Sequence, residues 1–354
     1  MNSRKNQTSR GKILIYLQDV GGTSFLLPII KEFLLNIKYS KNFIFIIHPL
    51  SKFKLDKIFP NIITISINCF PISEYEWKKL LDAYLIKSII CTLSENINDP
   101  TNANLISQSK KNKIPSIGFM DHWKGFHRLV SPNQSQNICP DWLGVIDKSS
   151  IKNLNTLDVG YKKVEVVGNP ALEVIKKVIS KSTTEKKYIL LVSQPDVFSG
   201  SFNSMFDIKI QKKRLIDLIS SSQIMNQSNS SLSFRPHPKD SNLPKLPCGI
   251  KLDVSSKSNV YENYDIFIGF DSMLLFEAHL AGRKSVSIEL PEINKITKES
   301  TPYEYSFKIN KINDLDDVMR GKFQYNGVRQ EVFANSIHRA TNFLTNFLKC
   351  NYDS

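Results

Sequence analysis

Short apolar runs alternate with amphipathic or polar stretches along the chain, and the alternation restarts once. Residues 12–17 form an apolar run of strand type. A glycine turn follows at Gly21 and Gly22, then an apolar stretch with helical spacing over residues 25–37. The same pattern predicts strands at 43–47, 62–67, 88–92 and 114–120, with shorter ones at 143–146 and 163–167. Helices are predicted at 77–84 and, of polar composition, at 102–111. After residue 180 the series begins again, with strands at 188–193, 232–235, 265–269 and 285–290 and helices at 209–221 and 272–281. Residues 220–233, rich in Ser, Asn and Gln, read as a loop, and 327–348 as a helical stretch. Strands alternating with helices imply parallel sheets covered on both faces. The expected fold is therefore α/β, with two Rossmann-like doubly wound domains facing across a cleft. The expected boundaries are 1–168 for the first domain, 169–326 for the second, and 327–354 for a C-terminal helix free to pack back on the first.

Composition narrows this without overturning it. At 354 residues the chain exceeds the ~250–300 at which single cores stop growing, which fits two domains. Hydrophobic residues at 41% and charged residues at 23% are ordinary for a globular protein. No apolar run approaches the ~20 residues a membrane span needs, and the polar, basic start does not resemble a secretory signal. Five scattered cysteines, with no paired spacing, point to a reducing cytoplasm and away from zinc or disulfides. The net charge of +14 admits nucleic acid, an anionic membrane surface or phosphorylated substrates as partners. The lysines are dispersed and no nucleic-acid motif is visible, so specific nucleic-acid binding is not expected. A peripheral association with the inner face of the cell membrane remains open.

Four segments can carry chemistry. Asp19-Val-Gly-Gly-Thr-Ser24 joins a strand to a helix, where glycines let backbone N–H groups approach an anion. Phe119 to Arg128 follows a buried strand and gathers Asp121, His122, His127 and Arg128 around Trp123 and Phe126. Asp and His can act as bases, Arg can clamp a phosphate, and Trp can stack on a sugar ring. Ser233-Phe-Arg-Pro-His-Pro-Lys239 ends a strand with Arg235 and His237, each stiffened by a following proline, a pair suited to a diphosphate. Last, Ile268 to Gly282 runs from a strand into a helix. Asp271 or Ser272 would be its N-cap, its N-terminus could hold a phosphate, and Glu277 could bind ribose hydroxyls or stand in solvent. His279 reads as structural. The lone D-x-D, Asp314 to Asp316, lies in a polar stretch and reads as surface, so no metal ligands are assigned.

These motifs resemble the GT-B superfamily of nucleotide-sugar glycosyltransferases, whose layout is shared by UDP-N-acetylglucosamine 2-epimerases. Asp19 to Pro28 is similar to that fold's glycine-rich first loop, Val167-Gly-Asn-Pro170 to its interdomain segment, and Ser272 to Gly282 to its donor-site pattern. The resemblance implies that Glu277 binds the donor ribose and Ser272 its phosphate. Arg235 to Pro238 is also similar to the R-P-H-P of glycerophosphate transferases and to the His-Pro motif of bacterial sialyltransferases, both users of cytidine nucleotides. The epimerases' T-H-R-x-E-N segment is replaced by Val192-Ser-Gln-Pro-Asp196, and their H-x-E-A-G by Met120 to Gly125. The expectation is an inverting, metal-independent glycosyltransferase of surface polysaccharide or glycan synthesis. It would use a nucleotide-sugar donor as substrate, no cofactor, and a saccharide or lipid-linked acceptor. Asp121 or His122 would be the base. Gly21, Gly22, Arg235, His237, Ser272 and Glu277 would bind the nucleotide, and Asp19, Trp123 and Arg128 the remaining substrate groups. A CDP-alcohol or CMP-sugar transferase is the alternative, with an epimerase or a non-catalytic binder behind it.

Overall fold

Strands buried on both faces form the centre of each half of the chain. In β1 (Lys12–Leu17) Ile13, Ile15 and Leu17 face one core while Leu14 and Tyr16 face another. A strand covered on both sides reads as a continuous apolar run, which is why periodicity found it. The structure, a computed structural model, describes residues 11–35, 42–58, 62, 64–67, 69–94, 99–123, 125–130, 137–178, 187–193, 213, 215–217, 230–237, 245–256, 259–270, 272–288, 307–309, 314 and 333–352. Among the expected features, Lys124, Gln194 to Asp196, most of the 209–221 helix, Pro238, Asp271 and Asp316 lie outside the described residues.

After β1 come α1 (Val20–Leu35), β2 (Phe43–Ile47), α2 (Pro49–Ile58), β3 (Thr64–Ile65), α3 (Glu74–Ala83), β4 (Ile86–Thr92), α4 (Thr101–Lys111), β5 (Ser116–Phe119), β6 (Trp142–Val145), α5 (Lys148–Leu154), β7 (Lys163–Val166) and α6 (Pro170–Glu173). The later part holds β8 (Lys187–Val192), β9 (Ser230–Arg235), β10 (Lys251–Leu252), α7 (Val260–Asn263), β11 (Ile266–Gly269), α8 (Met273–Leu280), β12 (Lys284–Ile288), β13 (Phe307–Ile309) and α9 (Ser336–Asn351). The chain divides into two compact units, Met1–Glu173 with Val332–Ser354, and Val174–Glu331.

The first unit contains a seven-stranded sheet of order β3-β2-β1-β4-β5-β6-β7, parallel throughout. One face packs on α1 and α9 through Phe25, Ile29, Phe33, Phe343 and Phe347, the other on Trp77, Leu81, Leu105 and Ile106. The second unit contains a six-stranded parallel sheet of order β10-β9-β8-β11-β12-β13. Each sheet starts at its centre, runs outward, and restarts on the other side. In such doubly wound sheets ligands bind beyond the carboxyl ends of the strands where the order reverses. Those places are β1/β4 in the first unit and β8/β11 in the second. Two α/β units with parallel sheets are the architecture the sequence predicts.

Details differ. The expected third strand over 62–67 contracts to two residues, and α2, α5, β10 and β13 are additions. Helix α1 begins at Val20, so Gly21 and Gly22 lie in its first turn rather than in a turn before it. The first unit runs to Glu173 instead of residue 168, because the Val167 to Pro170 segment is tied into it. The Asn169 N–H donates to Ser336 Oγ at 3.2 Å, and its side-chain amide donates to the Asp121 carbonyl at 3.2 Å. Gly168 has φ +81°, and a Cβ there would meet Ser336 Oγ at 2.1 Å. Glycine is required by both the conformation and the space.

Candidate functional site

In the first unit the glycine pair and the Asp121 segment come together. An added Cβ on Gly21 would lie 2.5 Å from Asp121 Oδ2, and one on Gly22 would meet Thr92 Cβ at 2.8 Å. The carboxylate of Asp121 therefore sits against the first turn of α1, where a helix favours an anion. Its other oxygen accepts from Arg128 Nη1 at 2.8 Å, and the same nitrogen donates to the Leu93 carbonyl at 3.1 Å. Asp121 and Arg128 are thus an ion pair with side chains only 13% and 17% exposed. Asp19, expected to meet substrate, is buried at the end of β1. His122 is half-buried, its ring edge-on to Trp123 with centroids 6.3 Å apart.

Trp123 corrects the sequence reading. It is 1% exposed, its indole N–H donates to Asp147 Oδ2 at 2.7 Å, and its ring meets Phe333. A ring so covered supports the segment from beneath and is no platform for a sugar. The crowded functional groups masked this, because residue types alone do not reveal which way a loop folds under.

A second polar cluster escaped sequence reasoning. His48 follows β2 and Asp99 follows β4. His48 Nε2 lies 3.0 Å from Asp99 Oδ2, and the Leu50 N–H donates to His48 Nδ1 at 3.2 Å. The imidazole is held at both nitrogens, a pattern that assigns its proton to Nε2. Asp99 also accepts from Thr101, and its carbonyl accepts from Gln18 Nε2 at 3.2 Å. Tyr16 Oη donates to Gln18 Oε1 at 3.0 Å. Burial pushes the Asp99 carboxyl upward, but the bonds from His48 and Thr101 outweigh it and leave it lowered. The signal was present: His48-Pro49 at a strand end repeats the His237-Pro238 arrangement.

In the second unit the register places Val192 opposite Gly269 on one side and Arg235 on the other. The residues at the switch point are therefore neighbours. Arg235 Nη1 bonds Asp253 Oδ2 in a close ion pair and donates to the Ser255 carbonyl at 3.0 Å. Asp253 Oδ1 accepts from the Ser255 N–H at 3.2 Å and from Tyr264 Oη at 3.1 Å. Burial raises the Asp253 carboxyl, yet the hydrogen bonds from Ser255 and Arg235 leave it lowered. His237 is half-buried beyond the strand end.

Ser272 is the N-cap of α8, accepting from the Leu274 N–H at 3.4 Å. Glu277 is not a solvated helical residue. It is 5% exposed and accepts from Tyr261 Oη at 2.6 Å. Burial, then the Glu277 charge, raises the Tyr261 phenol well above its usual range, so it stays a donor. Arg283, also buried, donates through Nε to the backbone carbonyl of Tyr261 at 2.7 Å and ties down the same residue. His279 is largely covered, and burial lowers it. Among the described residues no group of three or more His, Cys, Asp or Glu is arranged to hold a metal ion.

No family profile matches the chain, and no curated protein matches it in sequence. Solved structures do match. The UDP-GlcNAc 2-epimerase of Methanocaldococcus jannaschii, solved with UDP-GlcNAc and UDP, aligns with TM-score 0.64 at 14% identity, over 95% of this chain and 99% of that one. MnaA of S. aureus with UDP aligns with TM-score 0.65 at 13% identity, over 96% and 97%. HepE of Anabaena, in complex with UDP and glucose, gives 0.56 at 9%, over 96% and 98%. At these identities the likeness shows the fold: two Rossmann-like units of GT-B type.

Proposed function

We propose that this chain is a glycosyltransferase that takes a sugar from a nucleotide-activated donor, with the nucleotide held by the second unit. One observation carries the reading. At the carboxyl ends of β8, β9 and β11, where the strand order reverses, Arg235, His237 and the Ser272-capped start of α8 occur together. A guanidinium, an imidazole and the positive end of a helix dipole are features of the kind a diphosphate requires. Glu277, with one oxygen fixed by Tyr261, is the ribose ligand in this reading. UDP bound to HepE and to MnaA supports a nucleotide in this fold.

In the first unit His122 is proposed as the base that takes the acceptor hydroxyl's proton, since the Asp121 carboxylate already holds Arg128. Transfer is proposed to be inverting and metal-independent, with donors on the second unit stabilising the leaving diphosphate. The acceptor is a saccharide or a lipid-linked saccharide of glycan synthesis.

A nucleotide 2-epimerase is the second reading, favoured by the similarity to the M. jannaschii enzyme. Against it stands the missing T-H-R-x-E-N segment after β8. Calorimetry with UDP, CDP, CMP and GDP is the first test. Tight UDP binding fits the proposal, preference for CMP or CDP moves it to a CMP-sugar or CDP-alcohol donor, and binding of none refutes it. Incubation with UDP-GlcNAc alone is the second. Appearance of its C2 epimer without an acceptor would replace the transferase by the epimerase.

A further inference from the structure

We infer that Asp253 is a positioning residue that turns Arg235 into a two-pronged phosphate clamp, an inference that rests on the nucleotide reading of the second unit. Arg235 is the last residue of β9, and Pro236 follows it. Its bonds among the described residues all leave from one corner. Nη1 meets Asp253 Oδ2, the Ser255 carbonyl at 3.0 Å and Ser255 Oγ at 3.5 Å. Neither Nε nor Nη2 bonds any of the described residues. Those two nitrogens, on the edge away from Nη1, direct parallel N–H groups that match two oxygens of one phosphate. The side chain is 22% exposed, so that edge is not sealed in the core.

The grip itself is rigid. Asp253 is 3% exposed in its side chain, and its N–H donates to the Phe234 carbonyl at 2.8 Å, locking it beside β9. Its second oxygen is held by Ser255 and Tyr264. An arginine normally loses much rotamer freedom when it binds an anion, and that cost weakens binding. Here the folded protein has already fixed the guanidinium through Nη1, leaving Nε and Nη2 for the ligand. Asp253 also offsets the positive charge, so what it supplies is orientation rather than attraction.

Orientation and attraction make opposite predictions. If Asp253 mattered only by its charge, neutralising it would strengthen binding of an anion. If it orients Arg235, neutralising it weakens binding, and only while Arg235 is present. The experiment is calorimetric titration of UDP and of inorganic pyrophosphate into the full chain, for wild type, D253N, R235A, R235K and the D253N/R235A double variant. Thermal unfolding is recorded for each. R235A is expected to weaken both ligands about 10- to 100-fold, the size of one or two charge-assisted hydrogen bonds. R235K keeps the charge but not the fork, and is expected to lose nearly as much. D253N is expected to weaken both about 3- to 30-fold, within the range of coupled neighbours, and to add nothing in the R235A background. If D253N fails to fold, S255A serves in its place, with a smaller loss that again vanishes with R235A. Tighter binding by D253N, or an equal loss with and without Arg235, overturns the inference and leaves the nucleotide reading standing. Wild-type protein that binds none of UDP, CDP, CMP, GDP and pyrophosphate overturns both.

Discussion

Single side chains decide how the first unit's candidate groups are held, and Gly21 is the most exposed to test. A methyl group there would lie 2.5 Å from Asp121 Oδ2. Gly21→Ala should displace the carboxylate, weaken its pair with Arg128 and cost about 1–3 kcal/mol by overpacking, read as a lower unfolding midpoint. An unchanged midpoint would mean the segment yields freely. Two carboxylates set the acid limit. Asp99 and Asp253 are both lowered in the folded state. A lowered carboxyl stabilises the fold above its unfolded value, and that contribution disappears as pH falls through the folded value. Stability should therefore drop below about pH 4, where free aspartate takes up its proton. D99N and D253N should each flatten this drop in acid titrations followed by circular dichroism. These residues also show where the sequence stopped being legible. Arg235 stood out because a proline follows it, whereas its partner Asp253 lies 18 positions away and meets it only through β10 pairing with β9. Trp123 was misread for the same reason: its partner Asp147 is 24 positions away.

Whole elements were easier to read where burial repeats. Strands covered on both faces emerged from the apolar pattern nearly intact, as for residues 43–47 against Phe43–Ile47. Short pieces did not. β3 and β10 have two residues each, too few for any period to register. Helix α9 begins at Ser336, after Asn335 in a left-handed conformation with φ +59°, while residues 327–332 of the expected stretch lie outside the described residues. Its start is capped from elsewhere. Glu173, the last residue of α6, accepts from the Asn335 N–H at 2.9 Å and the Ile337 N–H at 2.6 Å. A carboxylate at a helix start satisfies orphan donors and meets the positive end of the dipole. Glu173→Ala should cost about 1–2 kcal/mol, as other lost caps do. Phe343, fully buried on α9 and 5.2 Å from the Trp142 ring, should cost about 3–5 kcal/mol when cut to Ala. Both losses belong in the first unit. Amide exchange that instead rises across β8 to β12 would contradict the assignment of α9.

At the scale of the molecule, the repeated strand order makes each unit a doubly wound sheet with its own switch point. UDP at 100 times its Kd should add about 2.7 kcal/mol to the state that binds it. Amide exchange should then slow at Phe234, Arg235 and His237 and along Met273–Leu280; protection confined to the first unit would refute the donor assignment. One feature of the chain's path reaches further. The second unit lies between Glu173 and Val332 in sequence, and α9 returns to complete the core of the first. During synthesis, which proceeds at ~5–20 residues per second, the earlier unit therefore has to wait. Its sheet is made first but lacks Phe343 and Phe347 until the entire later unit has emerged. The apolar face that α9 will cover stays bare through that interval. A stop codon just ahead of residue 336 would thus ruin the unit whose sheet is translated before the other's.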